Sequence, residues 1–230
     1  MSVDDPLVIP RRFNGPPDSA NGGYTCGLVA GLLGAGAAEV TLRSPPPLER
    51  PLAVRHDGRG VRVTDADLLV AEGRVAELEL ELPEPVGVEQ AEAASRAGTE
   101  HWSADHPFRT CVVCGPDREP GDGFRLFPGE LREGLFASVW TPGNTRPEET
   151  WAALDCPTSA PVANFGEGPP MVLARLAARI DAPVEPGRPH VVLSWPLEVD
   201  GRKRHAGAAL FSEAGELIAV SRALWIELRG

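Results

Sequence analysis

The chain has 230 residues, of which 42% are hydrophobic and 24% charged, and its formal net charge is -11. This length suits one large or two small globular domains with a buried core, and the negative charge argues against a general nucleic-acid binder, which needs a basic face. No stretch reaches the about 18 uninterrupted apolar residues of a membrane-spanning helix, so we expect a soluble protein with neither nucleic acid nor membrane as a partner.

The first predicted element is a helix over residues 24–33, preceded by Asn21, Gly22 and Gly23. It carries no charge, and a helix that is apolar on all sides must be surrounded by other structure. Gly27 and Gly31 lie one turn apart, so we expect a sheet to approach the helix closely there. The backbone N–H groups at the helix start suit an electron-rich oxygen, although a plain loop-to-helix turn would explain the same glycines.

The residues after the helix predict antiparallel strands, with a short edge strand also expected at residues 7–9. Alternating apolar residues run through 40–42, 52–54, 61–63 and 68–82, which is typical of strands with one buried face. Asp57-Gly58 between two of these runs is a hairpin signal. Residues 84–107 lose the alternation and predict a linker with a short surface helix.

The second half repeats this order. Strands are predicted at residues 124–127 and 135–140, a helix from Pro147 to Cys156, a further helix over 171–180, and strands at 191–195, 206–211 and 217–228. The Asp200-Gly201 hairpin follows Asp57-Gly58 at nearly the same spacing as Leu217 follows Leu68. The pattern therefore predicts a duplicated unit of one helix followed by antiparallel strands.

Short motifs in both halves resemble the acyl-CoA thioesterase superfamily with a double hotdog fold. They are residues 13–16, 22–23, 38–42 and 46–52 in the first half, and 151–155 and 215–223 in the second. The resemblance implies an α+β fold in which each half is an antiparallel sheet wrapped round a central helix. It also implies an N-terminal hotdog over residues 1–83, a linker over 84–123, a C-terminal hotdog over 124–230, and a homodimer.

The same resemblance implies a hydrolase that cleaves a CoA or pantetheine thioester and requires no cofactor. Gly23 N–H would polarise the thioester carbonyl, Asp155 would activate water, Thr158 would orient that water, and Asn21 and Gly22 would bind the ligand. Asp155 could instead be a structural aspartate beside Pro157.

The family also uses a glutamine on a late strand, and residues 220–223 contain none. The alternative function is therefore a non-catalytic protein that binds acyl-CoA or another small ligand on the same fold. A hotdog hydratase is not favoured, because its Asp-x-Asn-Pro-x-His motif is absent from residues 104–107 and their surroundings.

Four cysteines are too few for a disulfide scaffold at this length, and Cys26 falls in the apolar helix, so we expect reduced thiols and a cytoplasmic protein. Cys111 and Cys114 form a C-x-x-C motif, which is half of a tetrahedral zinc site. With His106 upstream, they are candidate ligands of a structural zinc ion. A tight turn with partly buried sulfurs is the alternative.

Arg202, Lys203 and Arg204 form a basic group that could contact the phosphates of coenzyme A. A charged hairpin tip would explain them equally well. Arg109, Arg118 and Arg125 are competing candidates for the same contact, because the sequence does not distinguish between them.

Overall fold

Residues 6–58, 60–104, 106–163 and 170–228 are described in this computed structural model. The helices are α1 (Gly22–Gly31), α2 (Val88–Ala104) and α3 (Pro147–Ala153). The strands are β1 (Ala37–Leu42), β2 (Ala53–His56), β3 (Gly60–Asp65), β4 (Leu68–Val75), β5 (Gly129–Arg132), β6 (Leu135–Trp140), β7 (Met171–Ile180), β8 (His190–Asp200), β9 (Lys203–Phe211) and β10 (Leu217–Glu227). Among these residues, no helix combines the length and the apolarity that crossing a membrane requires.

All of the strands belong to one antiparallel sheet in the order β2-β3-β4-β1-β7-β10-β9-β8-β6-β5. Outward from the β1–β7 junction, β1-β4-β3-β2 on one side matches β7-β10-β9-β8 on the other. Each set has its own helix, α1 before β1 and α3 before β7. The predicted duplication and the α+β double hotdog fold are confirmed, whereas the division at residues 83 and 124 stays a prediction, since the sheet runs through both halves.

Helix α1 is buried, as predicted, but its close neighbour at the glycines is α3 and not a sheet. A Cβ atom on Gly23 would lie 2.3 Å from Asp155 Cβ, and one on Gly27 would lie 2.5 Å from Glu148 Cα. The expectation for Gly31 is wrong, because nothing lies within 4 Å of its Cβ position. On the sheet side the small residue is Gly73 of β4, whose Cβ would meet Val29 of α1 at 2.9 Å.

The predicted helix over residues 171–180 is wrong, because this segment is strand β7. Its apolar residues repeat at helical spacing, but the strand pairs with β1 on one side and β10 on the other. Apolar segments cover both faces of β7: α1 lies against it, and Leu78 and Leu80 pack on Ala177. A strand covered on both faces loses the simple alternation by which strands are recognised.

Three further strand predictions are wrong, because the apolar segments concerned form no strand. Residues 7–9 make only an isolated bridge from Leu7 to Leu52, and residues 76–82 continue beyond β4 outside any strand. Residues 124–127 precede β5 and form no strand, although Phe124 and Leu126 N–H donate to the carbonyls of residues 112 and 113. Their apolar side chains pack on the core instead of extending a ladder. The surface helix predicted within residues 84–107 is confirmed as α2, which packs against β5, β6 and β8.

Candidate functional site

A cavity of about 820 Å³ opens beside the start of α1. Both halves of the chain contribute to its wall, which is largely apolar. Its apolar lining includes Leu42, Phe108, Met171, Leu173, Trp225 and Ile226. Its polar lining includes Asn21, Arg43, Ser44, His106 and Asp155. A concave apolar space with a few grouped polar atoms is the usual form of a small-molecule site.

Asp155 follows α3 and reaches the start of α1 in the other half. Its Oδ2 accepts a hydrogen bond from Gly23 N–H at 2.8 Å and another from Asn21 Nδ2 at 3.1 Å. The approach requires glycine, since a Cβ on residue 23 would overlap the Asp155 side chain. The structure thus brings together Asn21, Gly23 and Asp155, three predicted site residues from different halves of the chain.

The second carboxylate oxygen of Asp155, Oδ1, is buried and has no hydrogen-bond partner among the described residues. Burial raises the pKa of Asp155 to about 7, against the opposing effect of the Gly23 hydrogen bond. An unpaired polar atom in a protein interior is destabilising and rare. Asp155 is one of the residues that line the cavity, and its unpaired Oδ1 lies buried just behind that surface, which makes Asp155 a candidate functional residue.

The backbone N–H groups in the first turn of α1 have different hydrogen-bond partners. Asn21 caps the helix, with its Oδ1 accepting from Tyr24 N–H at 2.8 Å, and its carbonyl accepts from Thr25 N–H at 3.0 Å. Gly23 N–H is bound to Asp155, whereas Gly22 N–H has no acceptor among the described residues. Gly22 also lines the cavity, whereas Gly23 N–H is already bound by the Asp155 carboxylate.

Thr158 lies behind Asp155, away from the cavity. Its hydroxyl donates to the Asp155 carbonyl at 2.5 Å and accepts from Trp225 Nε1 at 2.8 Å. Ser221 on β10 donates to the neighbouring Leu154 carbonyl at 3.2 Å. These contacts fix the backbone that carries Asp155, and they do not place the Thr158 hydroxyl where it could orient a water molecule in the cavity.

Three buried cysteines, Cys111, Cys114 and Cys156, form a cluster on the same wall. Their sulfurs all lie within 4.8 Å of one another, and the three residues could hold a metal ion. Hydrogen bonds from the other two thiols lower the pKa of Cys111 well below its ordinary value, while burial raises that of Cys114. His106 Nε2 lies 3.3 Å from Cys114 Sγ.

The C-x-x-C spacing indicated Cys111 and Cys114, with His106 upstream, but not Cys156. Cys156 is distant along the chain and stands alone next to Asp155, so that no spacing motif includes it. The only sequence signal was that it directly follows the candidate catalytic residue. In the structure, the turn after α3 brings Cys156 Sγ to 3.8 Å from Cys111 Sγ.

The basic group at residues 202–204 lies at the β8–β9 turn, next to the cavity wall. Arg202 Nη1 donates to the Glu227 carbonyl at 2.8 Å, and Arg204 pairs with the Glu227 carboxylate. Lys203 lies 3.3 Å from Asp200. Because Ile226 on the same strand lines the cavity, this group is close to the cavity although none of its members lines it.

Four other arginines lie near the site, one in the cavity lining and three in the C-x-x-C loop. Arg43 lines the cavity and pairs with Glu72, and the sequence analysis did not select it. Arg118 donates to the Thr110 carbonyl at 2.8 Å, and Arg125 donates to the Arg118 carbonyl. Arg109 pairs with Asp117. Arg109, Arg118 and Arg125 therefore hold the loop together.

Comparison with known proteins identifies structural neighbours. No protein-family model matches the chain, and no curated protein matches it. The tesB protein of Mycobacterium avium subsp. paratuberculosis aligns with a TM-score of 0.59 at 13% identity, covering 91% of this chain and 88% of that one. An acyl-CoA thioesterase II from Mycobacterium marinum aligns with a TM-score of 0.57 at 12% identity, covering 91% and 89%.

A protein of unknown function with a hotdog fold, from Alicyclobacillus acidocaldarius, aligns with a TM-score of 0.54 at 9% identity, covering 95% of this chain and 90% of that one. At identities this low, structural likeness carries information about the fold and not about the reaction. The coverage extends over both halves of the chain in each case. The likeness therefore shows that this chain has the hotdog fold of the thioesterase II proteins, in its double form.

Proposed function

We propose that this protein hydrolyses an acyl thioester of coenzyme A or of a related pantetheine carrier. The observation that supports this most directly is the contact between Asp155 and the start of α1 on the wall of an apolar cavity. One carboxylate oxygen is fixed by Gly23 N–H and Asn21, and the other has no protein partner. This is the arrangement expected of a general base, whose position is fixed while one oxygen stays available.

In the proposed reaction, Asp155 Oδ1 accepts a proton from a water molecule, and that water attacks the thioester carbonyl carbon. Gly22 N–H donates to the carbonyl oxygen, on which negative charge develops as the new C–O bond forms. The C–S bond then breaks, and the proton held by Asp155 passes to the carrier sulfur, which leaves as the free thiol while the carboxylate is regenerated. Gly23 acts here through Asp155, because its N–H holds the carboxylate and is not free for the substrate.

The acyl chain would occupy the apolar part of the cavity, between Leu42, Leu173 and Trp225. A volume of about 820 Å³ is in the range of pockets that bury most of a drug-sized ligand. The phosphates of the carrier would lie outside, near the basic group at residues 202–204. Arg43, which lines the cavity, is a further candidate for this contact.

The proposal predicts that purified protein releases free coenzyme A from at least one member of a panel of acyl-CoA substrates. Asp155→Asn should lower kcat/KM by at least about 100-fold, since a positioned general base contributes about 10²–10⁴-fold. Asp67→Asn is the matched control, because Asp67 is exposed in the turn between β3 and β4, and its rate should be unchanged. Equal rates for Asp155→Asn and the wild-type protein would remove Asp155 from the mechanism.

The contact with the carrier phosphates predicts a smaller effect. Arg202→Gln should raise KM about 3- to 10-fold without a change in kcat, because an exposed arginine contributes binding that is equal in the ground and transition states. Arg96→Gln on the exposed side of α2 should leave both constants unchanged. Initial rates at several substrate concentrations check this, and an unchanged KM in Arg202→Gln would move the phosphate site elsewhere.

The second candidate function is a non-catalytic protein that binds an acyl-CoA in the same cavity. The observation in its favour is on the late strand β10, where residues 220–223 supply no glutamine and the Ser221 hydroxyl is bound to the Leu154 carbonyl. Isothermal calorimetry alongside the hydrolysis assay separates the two functions. Acyl-CoA binding without release of free coenzyme A at any chain length would favour the binding protein.

A further inference from the structure

The wall of the cavity contains a group of thiols that the proposed hydrolysis does not use. Cys111 and Cys114 come from the C-x-x-C turn, and Cys156 comes from the turn after α3. All three are buried and free, and all three line the cavity. Three thiols from two distant parts of the chain in one place suggest a shared ligand.

The spacing of the sulfurs is that of a tetrahedral metal site. Zinc binds thiolates at about 2.3 Å, which separates neighbouring sulfurs in a tetrahedron by about 3.8 Å. Cys111 Sγ and Cys156 Sγ are 3.8 Å apart, and Cys114 Sγ lies within 4.8 Å of both. A disulfide would require about 2.05 Å, so the observed separation excludes a disulfide and is compatible with sulfurs that share one ion.

The groups around the sulfurs are hydrogen-bond donors. Asn21 Nδ2 lies 3.8 Å from Cys111 Sγ and 3.7 Å from Cys156 Sγ, and His106 Nε2 lies 3.3 Å from Cys114 Sγ. Donors that surround metal-bound thiolates are typical of the second layer of a metal site, where they offset the charge on sulfur. Neutral thiols are weak acceptors and would gain little from the same contacts.

The hydrogen bond at Nδ1 of His106 indicates that Nε2 is a hydrogen-bond donor and not a metal ligand. His106 Nδ1 accepts from Phe108 N–H at 2.9 Å, so the neutral ring carries its proton on Nε2. Nε2 then donates to Cys114 Sγ. For Nε2 to bind a metal instead, the proton would have to move to Nδ1, where it would face the Phe108 N–H.

The segment that carries the motif is held by scattered hydrogen bonds, such as those from Val112 N–H to the Asn14 carbonyl at 2.8 Å and from Phe124 N–H to the Val112 carbonyl at 2.8 Å. Residues 106–128 contain no helix or strand among the described residues, yet Cys111, Val112 and Val113 are buried in the core. Structureless segments longer than about 12–15 residues are uncommon in compact domains. A bound ion would tie this segment to the turn after α3 and contribute directly to the folding free energy.

We propose that Cys111, Cys114 and Cys156 bind one Zn²⁺ ion as three thiolates, with His106 donating to Cys114. Binding releases the three thiol protons to solvent and changes no oxidation state. The fourth ligand is left to a water molecule or another small ligand from the cavity, which is the usual arrangement where a zinc ion is not purely structural. The test of the zinc site is independent of the proposed hydrolysis, because metal content is measured without any substrate.

The test is the metal content of the full chain, expressed with added zinc and measured by elemental analysis. We expect about one zinc ion per wild-type chain and a loss of at least about 10-fold in Cys156→Ser, because two thiolates alone bind zinc much more weakly. Cys26→Ala is the matched control, since Cys26 is buried in α1 outside the cluster, and it should keep its zinc. A wild-type protein without zinc, or one that holds iron instead, would overturn the proposal.

A second measurement covers the case in which Cys156→Ser does not fold. X-ray absorption at the zinc edge of the wild-type protein should show three sulfurs and one light atom, without the scattering that an imidazole ring adds. A first shell with two sulfurs and imidazole would overturn the ligand set and return His106 to the coordination sphere. The spectrum requires no variant, so its outcome does not depend on how well a substituted chain folds.

Discussion

Gly23→Ala should lower the free energy of unfolding by about 3 kcal/mol or more, at the upper end of the range for overpacked cores. The added Cβ would lie 2.3 Å from Asp155 Cβ and 2.8 Å from the Trp151 carbonyl oxygen. Both contacts involve backbone or the first side-chain carbon, so no rotamer change relieves them. The two helices must separate, and the Gly23 hydrogen bond to Asp155 is lost with that movement. Denaturant unfolding of both proteins measures the difference.

Two other glycines of α1 provide the controls. Gly31→Ala should stabilise the protein by up to about 1 kcal/mol, because nothing lies within 4 Å of its Cβ position and alanine favours a helix. Gly27→Ala should destabilise it, since its Cβ would meet Glu148 Cα at 2.5 Å, but it leaves the contact to Asp155 in place. A Gly23→Ala protein as stable as the wild-type protein would contradict the packing of α1 on α3.

If Gly23→Ala acts through Asp155, its effect on activity should exceed that of Gly27→Ala. The two variants disturb the same helix pair by similar overlaps, but only one of them displaces the carboxylate. The rate of coenzyme A release, compared at a temperature where both proteins are folded, checks this. Equal activities would show that the Gly23 hydrogen bond does not position Asp155 for the reaction.

The fold was largely predictable because its duplicated order appears directly in the sequence. At the two Asp-Gly hairpins and in the uncharged segment at residues 24–33, the conformation that the local sequence favours is the one found in the structure. Strand β7 was not predictable in the same way. It lies at the junction of the two halves, and other segments pack on both of its faces. Its residues therefore do not alternate between apolar and polar, which is the pattern that identifies a strand in a sequence.

The candidate site also contains residues that the sequence predicts and residues that it does not. Asp155 and Gly23 could be selected in advance, because resemblance to a family supplied a role for each. The task of Gly23 N–H could not, because it depends on the distance between two helices that sequence does not determine. Cys156 was missed for the same reason, since its relation to Cys111 exists only once the turn after α3 packs on the C-x-x-C loop.

Asn21→Asp should destabilise the protein by about 3–5 kcal/mol, the usual range when a buried charge loses its compensating partner. Asn21 Nδ2 now donates to Asp155 Oδ2 at 3.1 Å and approaches the sulfurs of Cys111 and Cys156. An aspartate would place an acceptor oxygen where that donor lies, opposite a carboxylate. The cap on Tyr24 N–H would survive, because either side chain supplies the accepting oxygen.

Asn21→Ser distinguishes the effect of the added carboxylate from any effect on the N-cap of α1. Serine also caps helices well, and it lacks both the amide donor and the carboxylate, so we expect a loss of only about 1–2 kcal/mol from the missing hydrogen bond to Asp155. Denaturant unfolding of the two variants gives the contribution of the charge as their difference. Similar stabilities for Asn21→Asp and Asn21→Ser would contradict the placement of the Asn21 amide between Asp155 and the thiols, because that placement is what makes a second carboxylate destabilising.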